Sequence, residues 1–196
     1  MIGLEDVLER VSRLMADLGA KWAVVGGTAV VLRALPRATR DVDAVLLLPV
    51  SRAREVANRA QALGFVVDPK EMEAFGEAGL IRLWMSAEKE LGADLIFADG
   101  PFLERVVARA TALKSARLEV PVTTAEDLLL FELDANRAQV HEEAIAIKDA
   151  FGPSLDRAYL KAQGTALDLT ARIEALLGPL CALTPASRWA SPSGTS

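Results

Sequence analysis

The sequence predicts an α+β fold, a sheet flanked by helices with a C-terminal helical region behind it. Three observations predict it. Four apolar runs have strand length, namely Trp22–Val25, Ala44–Leu48, Leu80–Met85 and Ala93–Phe97, and short apolar runs bounded by turn residues read as buried strands. Other segments space their apolar residues by three and four, the helical period. Beyond Thr123 the strand-like runs stop and only helical patterns remain, to about Leu177. The expected organisation is a core over residues 1–122, a helical region over 123–180 and a disordered tail over 181–196, the last small, polar and Pro-containing.

Taken in order, Leu4, Val7, Leu8, Val11, Leu14, Met15 and Leu18 form the apolar stripe of a first helix, closed by Gly19. Lys21–Val25 is the first strand and ends at Gly26-Gly27. A short helix from Thr28 to about Leu35 follows, stopped by Pro36. Arg37-Ala-Thr39-Arg-Asp41-Val-Asp43 then leads into the strand Ala44–Leu48. Ser51 caps a helix through about Leu63, with Arg52, Arg54 and Arg59 on a solvated face. Gly64–Val67 reads as a short strand, and Lys70–Glu77 as a loop or short helix. Leu80–Met85 and Ala93–Phe97 form an antiparallel pair that turns through Ser86–Gly92. Pro101–Leu113 is a helix with Arg105, Arg109 and Lys114 outward. Leu118–Val122 is an edge strand, because Pro121 cannot donate to a ladder. Thr123-Thr-Ala-Glu126 matches a capping box and opens a helix to about Arg137. Glu142–Phe151, Pro153–Gln163 and Ala166–Leu177 are three further helical patterns, punctuated by Gly152-Pro153 and Gly164.

Composition narrows the classes. A chain of 196 residues forms one domain, or a core with a small appendage. No apolar run reaches the length of a membrane span, and the first residues lack the apolar core of a signal peptide. The single Cys181 excludes an internal disulfide framework and fits a reducing cytoplasm. With one His and one Cys, most structural zinc sites are excluded as well. A net charge of −5 argues against a broad basic nucleic-acid surface and leaves a local basic patch open. The lone His141, near a helix start, reads as a surface or capping residue rather than a base.

The chemistry concentrates between Trp22 and Leu48. Asp41 and Asp43 share a strand face, because alternate residues of a strand point the same way. Two adjacent carboxylates repel unless a cation sits between them, and oxygen ligands suit Mg²⁺. Gly26 and Gly27, entering a helix, offer backbone N–H groups to phosphate oxygens. An anion cradle and a cation site on one strand-helix-strand path together suit a nucleoside triphosphate with its Mg²⁺. Asp94 is the single polar residue in its apolar strand, so it belongs at a strand end, in an ion pair or on a metal.

Gly26-Gly27, thirteen residues, then Asp41-Val42-Asp43 resembles the signature of the DNA polymerase β-like nucleotidyltransferase superfamily. The fuller pattern, with Ala29, Arg37 and Thr39, resembles the AbiEii-type toxin nucleotidyltransferases and their uncharacterised relatives. The resemblance implies a polymerase β-like core that transfers an NMP from an NTP to an acceptor hydroxyl. It implies Asp41, Asp43 and Asp94 as the catalytic carboxylates, holding two Mg²⁺ ions. By the same resemblance Gly26, Gly27, Thr28 and Arg37 contact phosphate, and Thr39 positions a metal ligand or phosphate oxygen. It also implies a tRNA or protein acceptor and an antitoxin partner.

The pattern breaks in the helix after Thr124. Glu126-Asp127-Leu128 and Arg137 match those relatives, but Glu132 stands where they carry a Lys that contacts the triphosphate, and Val140 and Glu143 where they carry two Asp. Glu132 leaves several readings open: a shifted alignment with Lys148 or Arg137 serving instead, a different specificity, a member that binds without reacting, or an ordinary solvent-exposed residue. The competing functions are thus a transferase toxin, a non-catalytic regulatory module of the same fold, and an enzyme modifying a small cationic molecule such as an aminoglycoside.

Overall fold

A computed structural model describes residues 3–33, 39–76, 78–135 and 140–180. Arg37, Arg137, Cys181 and the tail expectation lie outside the described residues. The order of elements begins α1 (Leu4–Leu18), β1 (Trp22–Val25), α2 (Gly26–Arg33), β2 (Asp41–Leu46), α3 (Ala53–Ala62) and α4 (Pro69–Gly76). It continues β3 (Leu80–Trp84), β4 (Gly92–Phe97), α5 (Pro101–Arg109), β5 (Thr111–Lys114) and β6 (Glu119–Val122). The C-terminal helices are α6 (Ala125–Asp134), α7 (Val140–Phe151), α8 (Arg157–Ala166) and α9 (Thr170–Leu177). No helix among the described residues is long and apolar enough to cross a membrane.

The six strands lie in the order β3-β4-β2-β1-β6-β5. The sheet is mixed: β2 pairs antiparallel with β1 and parallel with β4. Strand alternation sorts its residues onto two faces. Val24, Val42, Ala44, Leu46, Ile81, Leu83, Ala93 and Leu95 join the larger core, which α1, α3, α6 and the C-terminal helices share. Ala23, Val25 and Val45 pack on the opposite face against Val106 and Val107 of α5. Asp41 and Asp43 belong to this second face, four and two residues before Val45 on β2, and so does Asp94, two residues before Ile96 on β4.

Several boundaries differ from the sequence reading. The helix expected from Thr28 begins at Gly26 itself. Gly64–Val67 contributes only an isolated bridge, Val66 to Trp84. Residues 69–76 are helical. A helix starts at Ala53, after a single 3₁₀ turn over Val50–Arg52, rather than at Ser51. The last three helices start at Val140, Arg157 and Thr170. Thr124, not Thr123, caps α6, accepting the Asp127 N–H.

The helix expected over Pro101–Leu113 ends at Arg109, and Thr111–Lys114 is a strand. Ala110 takes an extended ψ of 139°, and the residues after it pair antiparallel with β6. That pairing gives β6 a second neighbour, so β6 is interior rather than an edge. Pro121 is tolerated because of where its missing donor would point. Thr123 N donates to Val24 O at 3.0 Å, and alternate residues of a strand aim their N–H groups to the same side. The Pro121 nitrogen therefore faces β1, where the parallel pairing is confined to Val24 opposite Val122. Tertiary pairing has overridden the local rule for proline.

Candidate active site

One rung of the sheet carries the charges. Arg82 on β3 lies opposite Asp94 on β4. Asp94 lies opposite Asp43 on β2, and Asp43 opposite Val25 at the end of β1. Asp41 is two residues earlier on the same strand face. At the end of β1, Gly26 adopts φ +57°, which turns the chain into α2. A Cβ on Gly26 would lie 2.9 Å from the Asp43 Cγ. Glycine is thus required twice over, for its backbone angle and for the carboxylate that rests against it. Gly26, Gly27, Thr39, Asp41, Asp43 and Asp94 all line one pocket of about 330 Å³.

Two hydroxyls converge behind this pocket. Thr28 Oγ1 donates to the Asp41 carbonyl at 2.8 Å, and Thr39 Oγ1 donates to the same oxygen at 3.2 Å. Thr28 is fully buried, and its hydroxyl fastens α2 to β2. Thr39 does line the pocket.

Arg82 is marked by no sequence motif, yet it is central here. Its Nε donates to Asp94 Oδ1 at 2.7 Å and its Nη2 to Oδ2 at 2.5 Å. Such a bidentate guanidinium–carboxylate pair is among the stronger charge-assisted contacts. The signal was available in the hairpin: Arg82 and Asp94 are the charged residues of two apolar strands expected to pair.

Burial pushes the Asp41 carboxyl above its ordinary range, and the Asp94 charge adds to this, while Arg82 and Arg40 partly oppose it. In the unfolded chain this group ionises near pH 4. In the fold it keeps its proton to higher pH, so the charged form disfavours the folded state. Stability is therefore lost as pH rises from the ordinary Asp range through the raised folded value. Asp41→Asn removes that cost. Without divalent cations its melting temperature at pH 7 should exceed the parent's, and the gap should narrow as pH falls toward about 4. Parallel thermal melts across this range check it, and a lower melting temperature at pH 7 would contradict the argument.

Glu132 is not an exposed helix residue. It is 4 % exposed on α6 and lines the same pocket, as does Glu143 of α7. Among the described residues the pocket carries five carboxylates, from Asp41, Asp43, Asp94, Glu132 and Glu143, and the Arg82 guanidinium. Lys148 does not serve there. It lines a separate cavity of about 580 Å³ with Arg157 and Leu176.

The donor chemistry, carboxylate oxygen throughout, suits a hard divalent cation. Asp41 and Asp43 fit such an ion. Asp94 gives both oxygens to Arg82, and among the described residues no group of three or more Asp, Glu, His or Cys side chains is placed to hold a metal.

A buried network joins this region to the C-terminal helices. Asp127 of α6 is fully buried. It accepts from Arg109 Nε at 2.9 Å, from Thr124 Oγ1 at 3.1 Å and from the Tyr159 hydroxyl of α8. The Arg109 guanidinium lies 4.0 Å from the centroid of the Tyr159 ring. Burial, then the bond to Asp127, raises the Tyr159 phenol. Arg109, expected on the outer side of its helix, is instead the cation of this network.

The mixed sheet with its flanking helices is the α+β nucleotidyltransferase fold. Three solved structures illustrate it. The lincosamide antibiotic adenylyltransferase LnuA, lincomycin-bound, aligns over 74 % of this chain and 96 % of its own, with 15 % identity and a TM-score of 0.52. ANT(2'')-Ia in complex with adenylyl-2''-tobramycin aligns over 82 % and 94 %, with 14 % identity and a TM-score of 0.54. An antigenic nucleotidyltransferase-like protein from Paracoccidioides brasiliensis aligns over 89 % and 91 %, with 14 % identity and a TM-score of 0.54. No protein-family model matches the chain, and no curated protein does.

Proposed function

We propose that the chain is a nucleotidyltransferase that moves an NMP from an NTP to an acceptor hydroxyl. The observation that carries the reading is the placement of Asp43 between Asp94 and the Gly26 turn, with Asp41 on the same face. This is where a nucleotidyltransferase fold would gather phosphate and carboxylates. Gly26 and Gly27 begin α2, whose N-terminal N–H groups favour the triphosphate. Asp41 and Asp43 would hold divalent metal, and Asp94 would join them once Arg82 releases it. Bound Mg²⁺, two ions in the full reading, would neutralise phosphate charge and lower the pKa of the attacking hydroxyl. The acceptor oxygen forms a bond to the α-phosphorus, the bond from that phosphorus to the β-phosphate oxygen breaks, and pyrophosphate leaves. The hydroxyl proton passes to the carboxylates beside it. The protein supplies mainly position and charge.

The AbiEii-type resemblance supports a tRNA or protein acceptor and a toxin paired with an antitoxin. The buried Glu132 favours a second reading, a small cationic acceptor, because an acid-lined pocket repels a phosphate backbone. Incubating the chain with Mg²⁺, each α-labelled NTP, tRNA, protein and a mixture of aminoglycosides and lincosamides tests the proposal. Transfer of label to any of these supports it. Absence of both label transfer and NTP binding defeats it and leaves a non-catalytic module of the same fold.

A further inference from the structure

A second cavity, of about 560 Å³, adjoins the acid-rich pocket. Its volume falls in the range of small-molecule sites. The reaction described above does not use it. Leu80, Ile96, Phe131 and the Arg82–Asp94 pair line both spaces, so the bidentate pair stands in the wall between them. Phe102 of α5 adds a second aromatic ring to the lining. Asp99 and Asp134 add two exposed carboxylates, and neither has an ion-pair partner among the described residues.

These walls select a ligand. The rings of Phe102 and Phe131 with Leu80 and Ile96 suit an apolar body. Arg82 is paired with Asp94 here, and even with Asp94 turned to a metal the lining keeps two carboxylates, Asp99 and Asp134, against one guanidinium. That charge calls for a cation, and an ammonium can donate to both carboxylates. A polynucleotide fits neither property, since its phosphates meet carboxylates here and again in the neighbouring pocket.

We infer that this cavity seats the acceptor and that the acceptor is a small hydroxylated amine with an apolar body. The inference rests on the nucleotidyl-transfer reading. Seated there, the amine lies against Asp99 and Asp134, and its hydroxyl is offered across the shared wall to the Asp43–Asp94 rung. The transfer then leaves a nucleotidylated amino alcohol and pyrophosphate.

Ligand-observed NMR on the full chain tests the cavity apart from catalysis. The probes are aryl and alkyl amino alcohols, each paired with its N-acetylated form. The amines should bind at least about tenfold more tightly than their neutral partners. Asp99→Asn combined with Asp134→Asn should erase this preference while leaving the melting temperature unchanged, because both side chains are exposed. Equal binding of the neutral forms, a preference that survives in the double variant, or no amine binding would overturn the cavity's assignment. A second arm adds Mg²⁺, α-labelled NTPs, tRNA and protein to the same amines. Label on a bound amine supports the acceptor role. Label on tRNA or protein overturns it and leaves nucleotidyl transfer standing, as does NTP binding with amine binding but no label on any amine. Failure to bind NTP refutes the transferase reading and, with it, the acceptor role.

Discussion

Asp43→Asn should abolish nucleotidyl transfer while leaving the chain folded. Asp43 is the point where the Gly26 turn, Asp41 and Asp94 meet. Asparagine keeps the shape and removes the charge. Charge stabilisation by a bound metal contributes several kcal/mol to a transition state, and about 4 kcal/mol corresponds to roughly a thousandfold in rate. The assay is single-turnover label release from α-labelled NTP, with circular dichroism as the control for folding. A folded variant that retains rates within about tenfold of the parent would remove Asp43 from the chemistry.

Asp127→Ala should produce the largest loss of stability. The change leaves Arg109, Thr124 and the Tyr159 hydroxyl without their shared acceptor. Removing one member of a buried ion pair costs about 3–5 kcal/mol, and the partial exposure of Arg109 places this case near the lower end. Tyr159→Phe removes a single bond and should cost about 1 kcal/mol. Urea denaturation of both variants provides the comparison. Should Asp127→Ala unfold at the parent's midpoint, the network would be incidental to the joining of α5, α6 and α8.

Much of the fold was legible because period two and period 3.6 are strong signals where apolar residues alternate cleanly. Trp22–Val25, the Leu80–Phe97 hairpin and the stripe of α1 follow from pattern alone. The shared face of Asp41 and Asp43 follows from the same alternation. Thr111–Lys114 was illegible because its residues extend a helical pattern smoothly, and only the pairing with β6, just after them in the chain, makes them a strand. Pro121 misled for a related reason, since its rule concerns a neighbour that the sequence does not display.

The site was legible in part. Gly26 is conspicuous in the sequence as the glycine between a strand and a helix. Its other task, making room for Asp43, emerges only when β1 and β2 are placed side by side. Glu132 was ambiguous because α6 is apolar nearly all round, so helical phase does not separate its wet and dry sides. Six of its ten residues are apolar, and the buried set includes Asp127 and Glu132 alike.

The short contact between β1 and β6 has a mechanical consequence. With one paired position and a proline beside it, this join is the frail seam of the sheet. Arg33 acts as a stitch across it, donating from α2 to the carbonyls of Val122 and Thr123 and to the Thr111 hydroxyl. Under load or heat the β5–β6 ribbon is therefore the part that peels first, and the other four strands, with the aspartates on β2 and β4, outlast it.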